Sequence, residues 1–142
     1  MSVDPITCHI LDTTKGKPAA NVLCQLYLLG DVNDDVAEVS TVPEPVAMAH
    51  TDNDGRVKQW TLNPKMDAST KSKLGVSGDK WTTLKPGIYK VKFLTGKYFV
   101  QQQSATFFPF VDVHFVVANP PDNHYHIPLL LSNHSYSTYR GS

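Results

Sequence analysis

The 142 residues suit one domain spanning 1–142, and 41 % hydrophobic content is enough for a core. Thirteen Lys and Arg balance thirteen Asp and Glu, which argues against a nucleic-acid or anionic-membrane partner. No apolar stretch approaches membrane-spanning length, and Met-Ser-Val-Asp-Pro at the start has neither the basic nor the apolar region of a secretory signal.

Residues 6–11 alternate, with Ile6, Cys8 and Ile10 on one face and Thr7, His9 and Leu11 on the other. A lone histidine such as His9 is, by itself, more often structural than catalytic. Asp12 to Pro18 is loop chemistry, and residues 22–29 form the next strand, with Val22, Cys24, Leu26 and Leu28 on its apolar face. Cys8 and Cys24 both fall on core faces and read as buried free thiols of a reducing compartment. Residues 30–45 make a polar, acidic linker with a short strand at 36–42. A strand restarts at 46–50, and Asp54-Gly55 predicts a hairpin into a returning strand over 56–62, at whose start Arg56 stands.

Residues 63–86 read as a solvated insertion without regular structure, anchored by Leu74, Val76 and Trp81. A strand follows at 88–94, and then 95–104, the one helix expected. Pro109 interrupts a long strand over 107–117. In 124–131, Tyr125, Ile127, Leu129 and Leu131 make an apolar face, while His124, His126, Pro128 and Leu130 share the other. Ser132 to His134 fit a turn into a second strand over 135–140. The class is all-β, about eight short strands in a two-sheet β-sandwich with one short helix.

Two histidines on the outer face of one strand admit a solvated face, a metal site or acid–base chemistry. A metal needs further ligands, and no spaced Cys/His set is present, so neither metal nor cofactor is expected. Acid–base chemistry suits a side chain that titrates near neutrality.

Four stretches then stand together. His9-Ile-Leu-Asp-Thr-Thr-Lys-Gly-Lys-Pro-Ala-Ala20, Thr51-Asp-Asn-Asp-Gly-Arg56, Phe107-Phe-Pro-Phe-Val-Asp-Val-His-Phe115, and His124-Tyr-His-Ile-Pro-Leu-Leu-Leu-Ser132 precede a closing Tyr139-Arg-Gly-Ser142. In this order they resemble the transthyretin-related family, specifically its 5-hydroxyisourate hydrolase branch. The stretches 30–45 and 63–84 look long for that family, and Asn133 and His134 stand where Pro and Tyr are common.

The resemblance implies a sandwich of two four-stranded sheets and a homotetramer, a dimer of dimers, with active sites between dimers. It implies hydrolysis of 5-hydroxyisourate to 2-oxo-4-hydroxy-4-carboxy-5-ureidoimidazoline. By motif position, His9, Arg56 and His126 carry over as catalytic residues. His9, Arg56, Tyr139, Arg140, Gly141 and Ser142 carry over as substrate-binding. The alternative is a non-catalytic small-ligand carrier of the transthyretin kind, which would prefer an apolar channel to this density of His and Arg. Urate degradation is often peroxisomal, but the chain does not end in a Ser-Lys-Leu-like address. The expected compartment is therefore the cytoplasm, with the peroxisome as alternative.

Overall fold

The computed structural model describes residues 3–30 and 44–141. The strand expected at 36–42, most of the acidic linker and Ser142 lie outside them.

The chain opens with β1 (Ile6–Asp12), the short β2 (Lys17–Pro18) and β3 (Leu23–Gly30), then β4 (Ala47–His50), β5 (Arg56–Val57) and β6 (Thr61–Leu62). A helix α1 (Ala68–Leu74) and a small hairpin, β7 (Val76–Ser77) with β8 (Lys80–Trp81), come next. They are followed by β9 (Gly87–Phe93), α2 (Thr95–Gln101), β10 (Val111–Val117), β11 (Tyr125–Leu131) and β12 (Tyr136–Thr138). One five-stranded sheet has the order β12-β11-β1-β2, with β5 also paired to β1; the other runs β10-β9-β3-β4-β6. The all-β sandwich is therefore as expected, with the short strands β2, β5 and β6 added at its edges and a separate β7-β8 ribbon.

Alternation builds the core. Ile6, Cys8 and Ile10 of β1 and Ile127, Leu129 and Leu131 of β11 are buried with Cys24, Leu26, Tyr89, Val91 and Phe93 of the opposite sheet. Removing such side chains from water is the main favourable contribution to the fold. Both cysteines are free and buried.

The pairing that matters most joins the two ends of the chain. β1 lies parallel to β11, with Thr7 opposite His126 and His9 opposite Pro128. β11 turns into β12 as an antiparallel hairpin, Leu129 facing Thr138, although its regular part stops at Thr138 rather than at residue 140.

Three expectations are corrected. The Asp-Gly turn is present, with Asp52 Oδ1 accepting from the backbone N–H groups of Asp54 and Arg56 at 2.9 Å, but it is a corner rather than a hairpin. β4 belongs to one sheet, whereas β5 pairs with β1 in the other. The single strand expected at 56–62 is accordingly split. Residues 58–60 cross between the sheets, and β6 returns to pair with β4. The insertion 63–86 holds a second helix, capped at its start by Asp67, whose side chain accepts from Thr70 N–H, and closed by Gly75. The strand expected from 107 begins only at Val111, beyond Pro109, which cannot donate to a ladder.

Candidate active site

The outer face of the first sheet gathers three of the expected residues. His9 of β1 faces Arg56 of β5 across the register. The His9 and His126 rings stack with centroids 6.5 Å apart and planes 28° from parallel. Gly55 makes the corner close enough for this. It sits at φ +74, and its carbonyl accepts from Ile10 N–H at 2.8 Å. A Cβ there would stand 2.4 Å from the Ile10 carbonyl oxygen, so a side chain would push Arg56 away from His9.

The two imidazoles are poised as bases. Burial, and then the Arg56 guanidinium, lower the pKa of His9, while a hydrogen bond to the Asp54 carbonyl and the charges of Asp52 and Asp54 act the other way. Burial, then Arg56, then His9 and His124, lower that of His126. Both groups bind a proton less readily than the ordinary histidine value of 6.5, so the neutral rings prevail at neutral pH.

The tail reaches the same face in part. Gly141 N–H donates to the His126 carbonyl at 2.9 Å. A Cβ on Gly141 would lie 2.6 Å from His126 Cδ2, so only glycine lets the backbone pass. Arg140 turns elsewhere: its Nη2 lies 3.0 Å from Asp122 Oδ2, and its guanidinium sits 4.5 Å from the centre of the Tyr125 ring. Tyr139 is exposed. The structure thus brings His9, Arg56, His126 and Gly141 together, leaves Tyr139 and Arg140 at the rim, and does not describe Ser142.

Two residues absent from the expected set belong to the site. Thr7 Oγ1 lies 2.8 Å from His124 Nε2 and 2.7 Å from His126 Nδ1. The alternation already placed Thr7 with His9 and His124 with His126. A hydroxyl between two rings was not legible, because these contacts span 117 and 119 residues.

Among the described residues, no three His, Cys, Asp or Glu side chains are grouped to hold a metal ion. A cavity of about 640 Å³, bordered by Trp60, Met66, Lys71 and Trp81, lies beside the insertion and contains none of the expected site residues. Its charged lining, Asp4, Lys71, Asp79 and Lys80, includes no histidine, so the outer sheet face is the better candidate for acid–base chemistry near neutrality.

The two-sheet β-sandwich thus presents two imidazoles beside a guanidinium on one sheet face. The family model described as HIUase/Transthyretin matches residues 6–141, and the chain belongs to that family. It is 37 % identical over 137 residues to the 5-hydroxyisourate hydrolase of Salmonella dublin, an alignment covering 96 % of this chain and 80 % of that one. The fold is similar to that of Klebsiella pneumoniae 5-hydroxyisourate hydrolase, with a TM-score of 0.68, 25 % identity and all of both chains covered. It is similar to a comparable degree to sea bream transthyretin in complex with thyroxine: TM-score 0.67, 26 % identity, 97 % of this chain and 95 % of that one. The backbone alone therefore does not separate enzyme from carrier.

Proposed function

We propose that this chain is a hydrolase that opens the six-membered ring of 5-hydroxyisourate to give 2-oxo-4-hydroxy-4-carboxy-5-ureidoimidazoline, a step of urate degradation. The observation that carries the reading is the convergence of His9, His126 and Arg56, with both imidazoles kept neutral, on one sheet face. The hydrolase names of the relatives agree with it.

Hydrolysis of a cyclic amide needs a water made nucleophilic and an oxyanion held as the carbonyl becomes tetrahedral. In this reading His126 is the base, and His9, stacked beside it, orients the water. The water oxygen adds to the ring carbonyl while its proton passes to His126. The Arg56 guanidinium forks onto the oxygens that gain charge. The tetrahedral species then collapses, the C–N bond breaks, and the nitrogen leaves as part of the ureido group, taking the proton that His126 accepted from the water. The tail, Tyr139, Arg140, Gly141 and Ser142, is assigned to substrate binding in this reading, with Arg140 exchanging Asp122 for the substrate. No metal or cofactor is required, and exhaustive chelation is expected to leave turnover unchanged.

The assembly in this reading is a homotetramer, a dimer of dimers, whose partner chains close over the outer face. Support comes from the face itself, which is open in a single chain. The edge strands β10 and β12 are each paired on one side among the described residues. Phe107, Phe110, Tyr136 and Tyr139 are large side chains left exposed, as at surfaces that meet partners. Light scattering at micromolar concentration should report four chains. The buried free thiols suit a reducing compartment, and we place the enzyme in the cytoplasm, the peroxisome being the alternative.

The test is the absorbance decay of freshly generated 5-hydroxyisourate. Decay far faster than in buffer supports the assignment. A rate equal to the spontaneous one, with thyroxine-like ligands bound instead, would make the chain a carrier.

A further inference from the structure

Thr7 is 7 % exposed, and its one hydroxyl meets two rings, His124 Nε2 at 2.8 Å and His126 Nδ1 at 2.7 Å. A hydroxyl carries one proton and two lone pairs, so it can donate to only one neutral imidazole. The other ring must carry a proton on the facing nitrogen and donate it to Oγ1.

Were both rings to donate to its lone pairs, the Oγ1–H of nearly buried Thr7 would have no acceptor, so two orderings use its proton. In the first, His124 Nε2–H donates to Thr7 and Thr7 donates to His126 Nδ1. The His126 proton then sits on Nε2, and the ring has no lone pair left for a water. In the second, His126 Nδ1–H donates to Thr7 and Thr7 donates to His124 Nε2. His126 Nε2 is then unprotonated, on the ring edge away from Thr7. Only the second ordering leaves His126 able to act as a base.

We propose that Thr7 is a positioning residue that locks His126 in its Nδ1–H tautomer, and that Thr7 and His124 relay the proton His126 takes up. This rests on the assignment of His126 as base. The relay balances without a co-reactant. When Nε2 gains the water proton, the Nδ1–H bond breaks and that proton passes to Thr7 Oγ1. The original Thr7 proton passes to His124 Nε2, so one proton leaves His126 and one arrives at His124. The charge would otherwise stay in a half-buried ring facing Arg56 and His9, the two groups that, after burial, most oppose protonation there. His124 immediately precedes β11 and is half-buried, so part of it meets solvent.

The experiment has a structural and a kinetic arm on the full chain. In ¹⁵N-histidine NMR of the wild type above its titration, two-bond couplings should show His126 protonated on Nδ1. In His124→Phe, Thr7 loses its acceptor and should donate to His126 instead, moving the proton to Nε2. Thr7→Val should lower kcat by about ten- to a hundredfold, the scale of losing a base's orienting partner, with KM nearly unchanged. Thr7→Ser should recover most of the loss, and a purely structural role for the methyl would give the reverse order. A wild-type His126 carrying its proton on Nε2, or a Thr7→Val enzyme with wild-type kcat, would overturn the proposal. If His126→Asn is inactive while Thr7→Val is fully active, the relay alone falls. If His126→Asn is fully active, the base assignment and the relay fall together.

Discussion

β1 and β11 each have two faces, and the two could hardly differ more. On the inner face, Ile6, Cys8, Ile10, Ile127, Leu129 and Leu131 are at most 5 % exposed. On the outer face, Thr7, His9, His124 and His126 form hydrogen bonds and a ring stack. Because the side-chain period is two residues, a slip by one would exchange the faces. The apolar face fixes the register, and the register decides what the polar face presents. Stability and chemistry are thus assigned to adjacent positions of the same strands, and substitutions should separate them.

Deleting residues 139–142 should have the largest effect on turnover. It removes Gly141, whose N–H donates to the His126 carbonyl, and with it the tail proposed to bind substrate. We expect hydrolysis to be abolished while the melting transition and the proposed tetramer persist, as calorimetry and size-exclusion on the same samples would show. The Arg140–Asp122 pair lost with it is solvent-exposed, and such pairs contribute little to stability.

His9→Asn should lower kcat by about two or more orders of magnitude, the usual scale of acid–base catalysis, with little change in Tm. The converse is Leu129→Ala, on the inner face and 0 % exposed. It should destabilise by about 2–5 kcal/mol through the cavity it leaves, measured by urea unfolding. Below its own transition it should retain near wild-type kcat.

The smallest effect is one of pH. His126 has a pKa below the ordinary 6.5, so kcat should stay level down through pH 6.5 and fall only as pH drops past the depressed value. Stability follows the same sign. Below pH 6.5 the unfolded chain takes up the proton first, so stability is full above that pH and is lost as pH falls towards the folded-state value. A kcat profile that breaks above pH 6.5 would contradict the cause assigned to the shift.

Much of this contrast was legible in the sequence, for a physical reason. Alternation over 6–11 and 124–131 reports burial directly, so the sequence alone places both histidines on outer faces. The resemblance supplied Arg56 and the tail. What failed was partner choice. Asp54-Gly55 encodes a tight turn equally well for a hairpin and for a corner between sheets, and only the crossing at 58–60 decides which. The helix at Ala68–Leu74 was missed because its surface is polar and it buries only Leu74, so no apolar stripe marks it. Asp67 and Gly75 were the readable signals at its ends. The Thr7 bridge was missed because a threonine on a strand face has no signature of its own until a distant strand is set beside it.

The central claim is that the outer face performs hydrolysis and the inner face does not depend on it. His126→Asn tests it most directly, with 5-hydroxyisourate decay and thermal unfolding recorded on one preparation beside the wild type. The account predicts a kcat lower by about a hundredfold or more at an almost unchanged Tm. Wild-type turnover at saturating substrate, or a loss of activity matched by a loss of folding, would contradict it.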